Sequence, residues 1–111
     1  MLKQADLVLG DFEGTINPDY PLSGYPLFNA PQSVTAVISD AGYDVMDLAH
    51  NHILDSGLEG AFTTADAFKE VGIDPVGVYE NPVRDKAPLF IKNVNGIKVA
   101  ILSYAYGFNG L

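Results

Sequence analysis

Short apolar runs alternate along the chain with segments of helical periodicity, and this alternation constrains the fold more than any other feature. Strands separated by helices pair in parallel through right-handed crossovers. Apolar strands are predicted at residues 7–9, 44–49 and 73–78, and helices at residues 31–41 and 56–71. Asn95-Gly96 between two further apolar runs predicts a β-hairpin. The expected fold is therefore α/β, in the order β-α-β-α-β-β-β with a C-terminal β-hairpin.

Both predicted helices carry an apolar stripe. The stripe residues recur at helical spacing: Val34, Val37, Ile38 and Ala41 in the first helix, and Leu58, Ala61, Phe62, Ala65 and Phe68 in the second. Ser56 and Glu59 match the S-x-x-E pattern of a capping box at the start of the second helix. Residues 14–31 are rich in turn-forming residues and predict an irregular surface loop.

Composition excludes several functional classes. With 111 residues the chain has room for one domain at most. A net charge of −8 argues against nucleic-acid binding, which requires a basic surface. The absence of cysteine excludes disulfides, thiolate catalysis and cysteine-ligated zinc. The apolar runs are too short for a membrane span, so none is expected in this chain.

Polar side chains directly follow several of the predicted strands. In open α/β sheets, ligands bind beyond these carboxyl ends of the strands. They are Asp11 and Glu13 after the first strand, His50, Asn51 and His52 after the second, and Ser103 and Tyr104 after the last. Carboxylate oxygens with imidazole nitrogens suit Mn²⁺, Fe²⁺ or Zn²⁺.

Simpler interpretations stay open for each of these residues. Asp11 and Glu13 also fit solvated turn residues, and the two histidines fit a chance pair in a polar loop. Asp55 fits a helix-start residue, and Tyr104 and Tyr106 fit ordinary strand side chains.

Residues 42–60, GYDVMDLAHNHILDSGLEG, resemble the G-[FY]-D-V-x-x-L-A-N-N-H-x-x-D-x-G-x-x-G signature of the bacterial capsule-synthesis family (CapA-type, poly-γ-glutamate biosynthesis). Residues 5–14, 72–77 and 95–104 are similar to further segments of that family, in the same order. The resemblance thus covers nearly the whole chain.

That family in turn resembles calcineurin-like metallophosphoesterases, which implies part of an α/β/β/α sandwich with a two-metal site. By this resemblance Glu13 and Asn51 would be metal ligands, and His52 would face the substrate as the catalytic acid. Asp55 would support the site through a hydrogen bond or cap the helix. The implied cofactor is a divalent metal (Mn, Fe or Zn), and the implied substrate is an anionic envelope polymer or a small phosphoester.

The chain departs from the family pattern at two site positions. Asp11 stands in place of an asparagine, as an extra ligand or a solvated substitute, and His50 replaces the first asparagine of the pair and adds a nitrogen donor. The family's opening Gly-Asp strand and later Gly-His-His-Pro-His segment have no counterpart in residues 1–111. We therefore expect residues 1–111 to be the middle portion of one CapA-type domain, inactive alone and unable to hold two metal ions in isolation.

Three functional hypotheses follow. The first is a metal-dependent hydrolase of capsule or poly-γ-glutamate metabolism. The second is a non-catalytic envelope component that binds or assembles the polymer. The third is a structural remnant that self-associates through unpaired sheet edges. Family members often act outside the cytoplasm behind an anchor or signal, a segment that residues 1–111 do not display, so the sequence leaves localisation open.

Overall fold

The structure, a computed structural model, describes residues 4–79 and 89–110. Its elements in chain order are β1 (Leu9–Asp11), α1 (Val34–Ala41), β2 (Val45–Asp47), α2 (Gly57–Glu70), β3 (Asp74–Val76), β4 (Phe90–Val94) and β5 (Ile97–Ile101). The predicted α/β order and C-terminal hairpin are confirmed. The strand β1 begins later than the apolar run that predicted it, and β2 and β3 are shorter than predicted. The polar connection at residues 80–86 lies outside the described residues.

The strands β1, β2 and β3 form a parallel sheet in that order. Leu9 pairs with Val45 and Asp11 with Asp47, and Asp47 pairs in turn with Val76. Because the strands are parallel, their carboxyl ends meet at one side of the sheet. We call this side, formed by Asp11, Asp47, Val76 and the residues directly after them, the carboxyl edge.

The hydrophobic core joins α2 to this parallel sheet. Its most buried apolar side chains come from the strands, from α2 and from the connections next to them: Ile16, Val45, Leu48, Phe68, Ile73 and Val76. The ring of Phe68 meets that of Phe12 edge-to-face, with centroids 5.1 Å apart. These contacts fix the segment after β1 against α2.

The predicted helix stripes are only partly buried. Ala61, Ala65 and Phe68 face the core as predicted, but Leu58 is 64% exposed and Val37 in α1 is 68% exposed. A strand of three residues is about 10 Å long, whereas the 14 residues of α2 extend over about 21 Å. The sheet is too short to cover the full stripe of α2, which explains the exposure of Leu58. The exposure of Val37 in α1 has no structural explanation. No described helix combines the length and the apolar character that crossing a lipid bilayer requires.

The predicted capping box at the start of α2 is wrong. The helix begins at Gly57 as expected, but the Ser56 side chain makes no capping hydrogen bond. Its hydroxyl instead donates to Thr15 Oγ1 at 2.7 Å. The start of α2 is thereby tied to the loop after β1.

That loop is irregular as predicted, yet the prediction that it lies on the surface is wrong for residues 14–17 and for Asn29, which are buried. Asn29 Oδ1 accepts the backbone N–H of Asn17 at 2.8 Å, and Asn29 Nδ2 donates to the backbone oxygens of Asn17, Tyr20 and Pro21. One buried amide therefore satisfies four backbone groups of the loop. This anchoring places the neighbouring Phe28 beside the carboxyl edge.

The hairpin of β4 and β5 turns at Asn95 and Gly96, as predicted. Both residues have positive φ, 51° and 86°, the conformation that favours Asn-Gly in two-residue hairpin loops. Lys92 Nζ lies 2.8 Å from Asp74 Oδ2, which links β4 to β3. Beyond β5, Ser103 donates to Asp47 at the carboxyl edge.

The close approach at Gly77, directly after β3, gives a stability prediction. Gly77 has φ 94°, and an added Cβ would lie 2.7 Å from Ala49 Cβ, 2.8 Å from Ala49 N and against Ser103 Oγ. We expect Gly77→Ala to lower the free energy of unfolding by about 3 kcal/mol, because conformational strain and overpacking add. Urea denaturation measures the change.

Gly72→Ala is the matched control. Gly72 has a similar φ of 81°, but nothing lies within 4 Å of the added Cβ. We expect it to cost about 1 kcal/mol, from backbone strain alone. Equal losses at the two positions would show that the close packing at Gly77 contributes nothing.

Candidate functional site

Two aspartates end neighbouring strands at the carboxyl edge. Asp11 ends β1, Asp47 ends β2, and the two are register partners. Burial raises the pKa of Asp11 above its ordinary value, and the negative charges of Asp47 and Glu13 raise it further, while His50 acts in the opposite direction. Negative charge is thus concentrated where the strands end, an arrangement that favours a bound cation.

His50 lies buried directly after β2. Its Nδ1 accepts the backbone N–H of His52 at 3.0 Å. Burial lowers the pKa of His50, although the charges of Asp11 and Glu13 and the backbone of Phe12 oppose this effect. A neutral ring whose Nδ1 accepts carries its proton on Nε2, and Nε2 has no hydrogen-bond partner among the described residues. His50 therefore carries an unsatisfied donor and lies close enough to Asp11 and Glu13 to feel their charges.

His52 and Asp55 form a pair on the turn between β2 and α2. His52 Nδ1 lies 2.8 Å from Asp55 Oδ2, and the side chains are 12% and 1% exposed. Because a carboxylate only accepts, Nδ1 is the donor and Nε2 is left available for chemistry. The Phe28 ring packs edge-on against the imidazole, with centroids 4.6 Å apart. The imidazole is thus fixed by one hydrogen bond and one aromatic contact.

The segment after β5 brings a further polar group to the carboxyl edge. Asp47 Oδ1 accepts hydrogen bonds from the Ser103 hydroxyl and from the backbone N–H of Ala49. Tyr104 and Tyr106 lie beyond β5 and are exposed, so the interpretation of both as strand side chains is wrong.

The predicted site residues fall into two groups. Asp11, Glu13 and His50 interact electrostatically at the carboxyl edge, while His52 and Asp55 form the hydrogen-bonded pair. Glu13 is exposed, and so is Asn51, which lies in the turn after β2. Among residues 4–79 and 89–110, no three His, Asp or Glu side chains are grouped closely enough to hold one metal ion.

Three residues that belong to this region were missed in the sequence. Asp47 ends β2 in the structure. It lies inside the predicted strand of residues 44–49, so the criterion that selected polar side chains after the strands passed over it. Phe28 and Asn109 come from segments distant in the sequence. Phe28 packs on His52, and Asn109 donates a hydrogen bond to Asp55. No local sequence pattern predicts such contacts.

The donor chemistry at the carboxyl edge fits a divalent metal ion in part. The Asp11 and Glu13 carboxylates and the Asn51 amide offer oxygen ligands of the kind that Mn²⁺, Fe²⁺ and Zn²⁺ accept. His50 Nε2 is buried and has no partner among the described residues. It can bind a metal only after it loses its proton, and the ring then needs to carry a proton on Nδ1, which now accepts from His52. The oxygen donors therefore suit such an ion by their chemistry, and His50 does so only after its hydrogen bond is rearranged.

Comparison of the sequence with known proteins places the chain in a family. Over 112 residues the chain is 34% identical to the capsule biosynthesis protein CapA of Bacillus anthracis, covering 96% of the chain and 27% of that protein. It is 25% identical over 107 residues to the PGA biosynthesis protein CapA of Bacillus subtilis, covering 94% of the chain and 28% of that protein.

An uncharacterized protein of Sinorhizobium fredii, y4sH, is 29% identical over 116 residues, covering 97% of the chain and 25% of that protein. The chain thus spans about a quarter of the length of these curated relatives. No solved structure gives a significant match. The model of the bacterial capsule synthesis protein PGA_cap family matches residues 1–110, and the chain belongs to this family.

Proposed function

We propose that the protein is a metal-dependent hydrolase of capsule or poly-γ-glutamate metabolism. The observation that carries the proposal is the His52–Asp55 pair, which leaves Nε2 of a fixed imidazole free near an acidic strand edge. The relatives' names support the substrate class, since one is a capsule biosynthesis protein and another a PGA biosynthesis protein.

Asp11, Glu13 and Asn51 would hold the metal ion, with His50 as a further ligand once Nε2 is deprotonated. The charge of Asp47 at the same edge favours a cation there, because the neighbouring carboxylates already raise the pKa of Asp11. A divalent ion bound at this edge supplies Lewis-acid activation of water and of the bond to be cleaved.

His52 would act as the general acid. The acid form would be the imidazolium, in which Nδ1–H is held by Asp55 and the proton on Nε2 is the one transferred. That proton would go to the leaving oxygen of a phosphoester or to the leaving nitrogen of a γ-glutamyl amide. The same residue therefore serves either bond class.

The charge of the chain bears on how a polyanion would bind. A protein with a net charge of −8 repels poly-γ-glutamate. A divalent cation bound at the carboxyl edge would offset two of the negative charges there and offer the polymer carboxylates a coordinating partner. Polymer binding is therefore expected to depend on the metal.

The ligand assignment is tested by titrating Mn²⁺ calorimetrically into the metal-free full-length protein. We expect Glu13→Gln to weaken Mn²⁺ binding at least tenfold, because it removes a charged ligand oxygen. Glu59→Gln is the matched control, because Glu59 is exposed in the first turn of α2. The Mn²⁺ affinity of this variant should stay within twofold of that of the wild-type protein. Equal affinities of the two variants would contradict the assignment.

A non-catalytic component that binds or assembles the polymer is the second candidate. The relatives' names favour it in one respect, since both describe biosynthesis and neither describes hydrolysis. Absence of Mn²⁺ uptake by the wild-type protein, with polymer binding retained, would support this candidate over the hydrolase.

A further inference from the structure

Asp55 is buried, and its two oxygens are engaged by separate parts of the chain. Oδ2 accepts the backbone N–H of Phe28 at 2.7 Å and lies 2.8 Å from His52 Nδ1. Oδ1 accepts from Asn109 Nδ2 at 3.0 Å. Hydrogen bonds on both oxygens prevent the carboxylate from rotating about its terminal bond.

Asn109 reaches this carboxylate from the segment that follows the hairpin. The same Nδ2 also donates to the backbone oxygen of Pro26 at 3.0 Å. The amide therefore joins Asp55 to the loop that carries Phe28, whose ring packs on His52. With φ 47°, Asn109 adopts the left-handed conformation that asparagine tolerates better than most residues.

The loss of the Asn109 amide would act on His52 through Asp55. Among the described residues, Oδ1 has no other hydrogen-bond donor. Without it the carboxylate gains freedom to turn, and the hydrogen bond that Oδ2 accepts from His52 Nδ1 weakens. His52 then samples orientations in which Nε2 is misplaced, and small misplacements of reacting groups lower rates strongly.

We propose that Asn109 is a positioning residue, which holds the Asp55 carboxylate so that His52 keeps its proton on Nδ1 and presents Nε2. This inference rests on the proposed role of His52 as general acid. It assigns the segment after β5 a function at the site, since that segment must dock for the Asp55 hydrogen bonds to be complete.

The test follows the His52 ring by ¹⁵N-resolved NMR in the full-length protein, with the signal assigned by its loss in His52→Gln. In Asn109→Ala we expect the Nδ1 proton to exchange with water at least tenfold faster. We also expect kcat to fall about tenfold with KM within twofold, the size typical of losing a partner that orients a site residue. Asn109→Gly, which also removes the donor and tolerates the left-handed backbone, should give the same changes.

Asn93→Ala is the control. Asn93 Oδ1 accepts the Gly96 N–H at 3.0 Å in the hairpin. Like the Asn109 variants, Asn93→Ala therefore loses a side-chain hydrogen bond, but in a turn away from the site. It should leave the His52 proton exchange and kcat unchanged. Unaltered Nδ1 proton exchange in both Asn109 variants would overturn the proposal. If the wild-type protein hydrolyses nothing, the proposed function fails, while the NMR comparison still decides the role of Asn109.

Discussion

Replacement of His52 by alanine in the full-length protein is expected to lower kcat for hydrolysis about a thousandfold, the range found for loss of a general acid. We expect an effect of this size because Asp55 and Phe28 hold the ring in one orientation. Initial rates measured at saturating Mn²⁺ and substrate give the change.

His52→Gln separates proton transfer from packing. Glutamine keeps a polar side chain beside Asp55 and Phe28 but cannot exchange a proton near neutral pH, so its loss of kcat should equal that of His52→Ala. Mn²⁺ affinity should stay within threefold of wild type in both variants, since His52 is not assigned as a ligand. Undiminished activity in His52→Ala would disprove the general-acid role.

Asp55→Ala is expected to lower the free energy of unfolding by about 3 kcal/mol, the cost of leaving buried donors without an acceptor. The side chain is 1% exposed and accepts from Phe28, His52 and Asn109. Its loss leaves the Phe28 N–H and the His52 ring without this partner. Chemical denaturation followed by circular dichroism measures the change.

Asp66→Ala is the control for a lost carboxylate. Asp66 is 55% exposed on α2 and lies 4.0 Å from Lys69 Nζ, so we expect a change below about 0.5 kcal/mol. A loss at Asp55 no larger than that at Asp66 would mean that the buried hydrogen bonds contribute little. The account of a rigid His52–Asp55 pair would then be wrong.

The sequence predicts those features of the fold that depend on local signals. Asn95-Gly96 specifies its turn through backbone conformation alone, and alternating strands and helices specify the parallel sheet. Burial is less predictable, as the exposed Leu58 shows, because periodicity identifies a helix face but not the length of the sheet that covers it. The partner of Ser56 is equally unpredictable from local sequence. Its hydroxyl donates to Thr15, 41 positions away, and not to the backbone of its own helix.

The candidate site shows the same division. Asp11, His50 and His52 follow predicted strands, so position in the sequence was enough to single them out. The contacts of Asp55 with Phe28 and Asn109 join positions 27 and 54 residues apart. Such contacts depend on how the loops dock, which no short motif encodes. The tautomer of His50 is likewise set by a backbone N–H that only the folded turn presents.

Hydrolysis by the full-length protein tests the central claim most directly. The protein is stripped with EDTA, reloaded with Mn²⁺ or Zn²⁺, and assayed on a phosphodiester and on poly-γ-glutamate. The account predicts cleavage of one of these substrates by the reloaded protein and none by the stripped protein. Turnover that survives EDTA, or absence of turnover on both substrates in protein with bound metal, would contradict it.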